Sequence, residues 1–118
     1  MQIQITIGDT VLLATPESNP SADAFLALLQ KQKLTVKMSD YAGMEKVGPL
    51  GTHLIRSDRP VRVGAGDVVL YQGNQITIYY GTNEWNFTKL AHIDGVTKEK
   101  MLEVLGRGNV EVEFSLVL

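Results

Sequence analysis

Residues 66–81, GDVVLYQGNQITIYYG, hold two strand-like runs separated by Gly73 and Asn74. In the second run Ile76 and Ile78 alternate with Gln75, Thr77 and Tyr79, a period of two that predicts a strand with one apolar and one polar face. The Gly73-Asn74 pair predicts a hairpin, because glycine supplies the positive φ that such a turn requires. Ile76 and Ile78 then point into a core, and the polar stripe faces outward. A strand of this kind wants a partner layer on its apolar side only, so the rest of the fold is sought among other one-sided strands.

They lie at both ends of the chain. Ile3, Ile5 and Ile7 alternate with Gln2, Gln4 and Thr6, Gly8-Asp9 supplies a turn, and TVLLAT returns as a second strand. At the other end Val110, Val112, Phe114, Leu116 and Leu118 alternate with Asn109, Glu111, Glu113 and Ser115. LTVKMS places Leu34, Val36 and Met38 on one face, and EWNFTKLAHID is a further strand candidate. Two segments change period. Asn19 caps a helix whose stripe is Ala22, Phe25, Leu26, Leu28 and Leu29, with Pro20 in its first turn. Thr97 caps a shorter helix with Met101, Leu102, Val104 and Leu105 on its apolar face and Gly106 as its stop. From Asp40 to Gly66 the chain reads as a long irregular loop, rich in Gly, Pro and charge. These elements predict a single domain over residues 1–118. It is mainly β: a closed or nearly closed antiparallel barrel of about eight strands, with the two α-helices as caps over its open ends.

Composition narrows the function. A chain of 118 residues with 44% hydrophobic and 20% charged content supports one hydrophobic core. A net charge of −2 offers phosphate backbones no general attraction, which argues against nucleic acid as a partner. The one basic cluster, Arg56, Arg59 and Arg62, is interrupted by Asp58 and reads as a solvated loop, with a local anion contact as the alternative. Without cysteine there is no disulfide or thiolate chemistry. The two histidines, His53 and His92, fit no ligand spacing, so neither a metal nor a cofactor is implied. The start MQIQITIG has no basic n-region or apolar h-region, and no run approaches the ~18 apolar residues of a membrane span. A cytoplasmic protein without a membrane partner is the expectation.

The order of these elements, with the runs MSDYAGMEKVG (38–48), GDVVLYQGNQITIYYG (66–81), KLAHIDG (89–95) and LGRGNVEVEF (105–114), resembles the cyclophilin fold. More closely it resembles the small bacterial and archaeal cyclophilin-like domain proteins. Cyclophilins are peptidyl-prolyl isomerases, and the resemblance implies where such a site would lie. QGNQITI is similar to the family's NGSQFFI, which puts Gln75 at the groove glutamine and Thr77 where a phenylalanine packs on the substrate proline. LAHI at 90–93 is similar to FGKV, which puts Phe87 where a histidine borders the groove and Trp85 near the family's tryptophan. The arginine-bearing motif FHRIIPxFMxQGGD has no counterpart here. LTVKMSDYAGMEKVG contains Lys37 and Lys46 but no arginine.

Alternation and the resemblance both point to the outer face. Period two sends Gln75, Thr77 and Tyr79 outward, to the face that a cyclophilin uses for its groove. Tyr41, Glu45 and Lys46 are expected at the groove rim and Trp85 beside it, whereas Tyr80 shares the inward phase of Ile76 and Ile78. Isomerising a prolyl bond means lowering a barrier of roughly 20 kcal/mol by holding a twisted amide and hydrogen-bonding its nitrogen. Lysine is no equivalent for the planar guanidinium in that task, and threonine removes an aromatic seat worth about 1–3 kcal/mol. The expected function is therefore binding of a small molecule or peptide segment through Tyr41, Glu45, Lys46, Gln75, Thr77, Tyr79 and Trp85. Prolyl isomerase activity is the alternative. A second alternative is an accessory subunit of an amide-hydrolysing complex, a role in which this fold also occurs. Asp40 and Glu45 share a stretch, as acid-base hydrolysis would need, but no nucleophile with an adjacent base accompanies them.

Overall fold

Every paired strand in the computed structural model, which describes residues 1–117, runs antiparallel to its neighbours. In chain order the elements are β1 (Gln2–Ile7), β2 (Thr10–Pro16), α1 (Pro20–Lys31), β3 (Leu34–Tyr41), β4 (Glu45–Pro49), β5 (Arg59–Val63), β6 (Asp67–Tyr71), β7 (Gln75–Tyr79), β8 (Asn83–Ile93), α2 (Lys98–Leu105) and β9 (Val110–Val117). Leu118, the last residue of the expected C-terminal alternation, lies outside the described residues. The sheet runs β2-β1-β9-β3-β4-β7-β6-β8, and pairing of β2 with β8 closes it into a ring of eight strands. Closure removes the exposed edges that an open sheet of this size would present.

The alternation places the core. Ile3, Ile5, Ile7, Val36, Met38, Ile76, Ile78, Val112 and Phe114 are all buried in one cluster. Both helices contribute to that cluster: Phe25 and Leu29 from α1, Met101 and Leu105 from α2. The ring of Phe25 meets Phe114 edge-on at 6.0 Å, a favoured aromatic geometry. Asn19 caps α1 by accepting from the amide of Ala22, and Thr97 caps α2 by accepting from that of Lys100. Tyr80 is buried with the core and donates to Asp40 Oδ1 at 2.6 Å.

The segment 40–66 is not the irregular loop that its composition predicts. It contains β4 and β5. β4 escapes the period-two reading because its inward positions are Lys46 and Gly48 rather than apolar residues. β5 contains Pro60, which is tolerated because the strand pairs on one side only, with the first half of β8. Arg59 and Arg62 therefore sit on a strand, and Arg56 is paired with Asp58. Between β4 and β5 the chain is tied down by Ser21, which donates to Ile55 O, and by Thr88, which bonds both Ser57 N and Asp58 Oδ1.

The β6–β7 hairpin also differs in detail. Its positive-φ residues are Gln72 (55°) and Gly73 (78°), and Asn74 is the third loop residue, donating to Tyr71 O. The β3–β4 connection is built the same way, with Ala42 (54°) and Gly43 (64°), and Met44 donating to Tyr41 O. Tyr41-Ala42-Gly43-Met44-Glu45 and Tyr71-Gln72-Gly73-Asn74-Gln75 are thus two copies of one turn, each opening on a tyrosine.

Candidate functional site: an aromatic cleft on the outer barrel face

A tyrosine that opens such a loop and the acid or amide that closes it are cross-strand partners, so they share a face. Tyr41 pairs with Glu45, and Tyr71 pairs with Gln75. Strands β4 and β7 are neighbours, with Glu45 opposite Tyr79 and Val47 opposite Thr77. Alternation along these strands points Glu45, Val47, Gln75, Thr77 and Tyr79 away from the core. The first half of β8, stiffened by β5, stands over this face and adds Trp85 and Phe87. Together they enclose a cleft of about 380 Å³, near the small end of the usual range for ligand pockets.

Beneath it lies a second, smaller apolar cluster of Val63, Val69, Tyr79 and Phe87, with the Tyr79 and Phe87 rings edge-on at 6.0 Å. This packing fixes the floor. The Thr77 hydroxyl donates to Val69 O at 3.2 Å, so its polar atom is engaged with the backbone. The rim is different: Tyr41 and Trp85 are 59% and 67% exposed. Five of the chain's eight aromatic residues line the cleft, namely Tyr41, Tyr71, Tyr79, Trp85 and Phe87.

One carboxylate lies among them. Glu45 is only 7% exposed and accepts from the Tyr79 hydroxyl at 3.3 Å, which in turn accepts from the Asn83 amide at 3.4 Å. Burial raises the Glu45 carboxyl above its ordinary value, an effect that the Tyr79 bond partly offsets. Burial also pushes the Tyr79 hydroxyl up to about 12, so it remains a donor at any physiological pH. Among the described residues no Lys, Arg or His lines the cleft.

Of the residues expected at the site, Tyr41, Glu45, Gln75, Thr77, Tyr79 and Trp85 come together here. Lys46 does not. It follows Glu45 on β4 and so points to the opposite face, where it is fully buried. Its ammonium donates to Gly108 O at 2.6 Å and lies 3.2 Å from Asp40 Oδ1. Asp40 is the cross-strand partner of Lys46, so Asp40 and Glu45 face apart and form no acid-base pair. The Tyr80 bond, together with Lys46, holds the Asp40 carboxyl below its ordinary value, and burial pushes Tyr80 up to about 12. Met44, Val47 and Asn83 also line the cleft and were not among the expected residues. The repeated Tyr-x-Gly-x-Glu/Gln pattern at 41–45 and 71–75 is the sequence signal that points to the paired rims.

Two other features carry polar chemistry. A cleft of about 360 Å³ adjoins the first, shares Tyr71 and Trp85 with it, and is lined by Arg56, Asp58 and Arg59. Elsewhere, His92 Nδ1 lies 2.8 Å from Asp67 Oδ1, a carboxylate partner that its sequence context does not reveal. Lys89 lies 3.5 Å from the same oxygen. Among the described residues there is no cluster of three or more His, Cys, Asp or Glu side chains able to hold a metal. No helix there is long and apolar enough to cross a membrane.

Neither curated proteins nor solved structures give a match to this chain. A family model described as the Cyclophilin-like family matches residues 5–115, a span that runs from β1 into β9 and takes in every strand of the ring and both cleft rims. The chain belongs to the cyclophilin-like family.

Proposed function

We propose that this protein is a binding module that takes a small molecule or a short peptide segment into the aromatic cleft. The observation that carries this reading is the gathering of five of eight aromatic side chains around a single concavity, with Trp85 and Tyr41 left largely exposed at its rim. A soluble domain gains nothing in stability from an exposed tryptophan, and aromatic residues with polar tips are what recognition surfaces favour. Gln75 and the Glu45 carboxylate, the latter held by the buried Tyr79 hydroxyl, supply the few polar groups that orient a ligand in an otherwise apolar pocket.

Prolyl isomerisation is less well supported. A guanidinium aimed at the prolyl amide is the main electrostatic element of that reaction, and the cleft offers a carboxylate instead. Thr77, with its hydroxyl turned to Val69 O, gives a proline ring little aromatic seat.

The test is a fragment screen followed through the Trp85 indole N–H resonance and the amides of 41–47 and 75–79. Hits that shift these signals in the wild type and lose affinity at least about tenfold in Trp85→Ala support the reading. A screen whose hits all map elsewhere, or a Trp85→Ala variant that binds as tightly as wild type, would reject it.

A further inference from the structure

Among the described residues three charged side chains are buried: Glu45, Lys46 and Asp67. Two have the partners that burial of a charge demands. Lys46 meets Asp40 and the carbonyl of Gly108, and Asp67 meets Lys89, His92 and the amide of Gly64. Glu45 is the exception. Among the described residues its one hydrogen-bond donor is the uncharged Tyr79 hydroxyl at 3.3 Å, and no cation lies within ion-pair distance.

A buried carboxylate without a counter-ion is costly, and a sequence that wanted only packing at this position would place leucine or methionine there. What surrounds Glu45 suggests the missing partner. Tyr41 lies directly across the β3–β4 ladder from it, Tyr79 directly across the β4–β7 ladder, and Tyr71, Trp85 and Phe87 complete the walls. Aromatic faces attract cations through their quadrupoles, most strongly when water is excluded. A carboxylate at the base of an aromatic enclosure, with no cationic side chain lining it, complements an ammonium group and disfavours an anion.

We propose that the cleft recognises an alkylammonium group, its charge on Glu45 and its alkyl chain between Trp85 and the tyrosines. This rests on the binding-module reading and names the ligand's chemistry. Such a group is found on a free organic amine or on a lysine side chain of a peptide.

The experiment compares n-butylammonium, n-butanol and n-pentanoate, which share one butyl chain and differ in charge, by NMR titration of the full chain. Nα-acetyl-lysine N-methylamide is titrated beside them. Butylammonium is expected to shift the Tyr41, Tyr71 and Trp85 signals and to bind at least about tenfold more tightly than butanol. Pentanoate is expected to bind more weakly still. Glu45→Gln keeps an acceptor for Tyr79 and should bring the ammonium down to the alcohol's affinity. Trp85→Ala, at an exposed position, should weaken every probe without removing the charge preference. If the lysine derivative binds more tightly than butylammonium the source is a peptide, and if it binds more weakly the source is a free amine.

Butanol or pentanoate binding in the cleft as tightly as the ammonium would overturn the cation while leaving the binding module intact. A charge preference that survives Glu45→Gln would overturn the role of Glu45. No shift from any probe would reject the ammonium, and the fragment screen would then decide separately whether the cleft binds anything.

Discussion

Gly48 shows how closely β3 and β4 approach beside the cleft. A Cβ placed on it would lie 2.5 Å from the Lys37 carbonyl oxygen and 2.6 Å from Val36 Cγ1. Ordinary C···O contacts lie near ~3.3–3.6 Å, so the new methyl group is short of room by about 1 Å. Neither neighbour can yield easily, since one is backbone and the other is a side chain only 1% exposed in the core. The φ of Gly48 is outside the left-handed region, so alanine meets no backbone strain there and the cost is steric. Overpacking of this kind costs about 1–3 kcal/mol, and a backbone obstacle puts Gly48→Ala at the upper end. Gly8→Ala is the matched control. Gly8 has a φ of +59° with nothing within 4 Å of a built Cβ, so its cost is conformational, about 1 kcal/mol. Urea unfolding followed by far-UV circular dichroism of the sheet reads both variants. With a slope of roughly 1–3 kcal/mol per molar, a cost of about 3 kcal/mol should lower the midpoint by about 1–3 M at unchanged slope. A Gly48→Ala loss below about 0.5 kcal/mol, or one smaller than that of Gly8→Ala, would refute the close approach of Lys37 to β4.

Other expectations follow from the same geometry. Ile78→Ala removes a fully buried core side chain and should cost about 2–5 kcal/mol in the same assay. A loss below about 0.5 kcal/mol would mean that β7 presents its other face to the core. Glu45 has its carboxyl raised by burial in the folded state, so the folded protein holds its proton more tightly than the unfolded chain does. The destabilisation from burying the charge is fully present above the raised value and disappears as pH falls below the ordinary 4.5. Glu45→Gln should therefore be more stable than wild type at pH 7, by a margin that shrinks on acidification, and a margin that grows toward pH 4 would contradict the assignment. In a protease-coupled assay on a proline-containing peptide, the wild type should fall at least about a hundredfold below an ordinary cyclophilin, for loss of an electrostatic contribution of roughly 3 kcal/mol. Strong activity abolished by Gln75→Ala would overturn that expectation.

The barrel was legible because most of its strands are buried on one face. Ile3, Ile5 and Ile7, like Val112 and Phe114, advertise the core by alternation, and the helices announce their starts through Asn19 and Thr97. The floor of the cleft could be placed for the same reason, since fixing Ile76 and Ile78 inward sends Gln75, Thr77 and Tyr79 outward. β4 was hidden because its inward positions hold Lys46 and Gly48. A lysine reads as exposed unless one knows that Gly108 O, 62 residues away, waits for its ammonium. For the same reason Lys46 reads as a rim partner of Glu45, although adjacent residues of a strand cannot share a face. β5 was hidden by Pro60 and two arginines, which an edge strand tolerates. Phe87 was placed at the groove by the resemblance alone, and Asn83 was missed, because both enter the cleft through the continuation of β8 beyond the barrel with β5 beside it, a tertiary arrangement with no local pattern.

The central claim is that a ligand sits in the cleft between β4, β7 and the first half of β8. The most direct measurement is a crystal structure of the full chain grown with the tightest-binding probe. Density is expected against Gln75 and the Trp85 ring, over the Tyr79 floor, and within about 3.2 Å of the Glu45 carboxylate if the probe is an amine. Density confined to the arginine-lined cleft beyond Tyr71, or to any surface outside these residues, would contradict it.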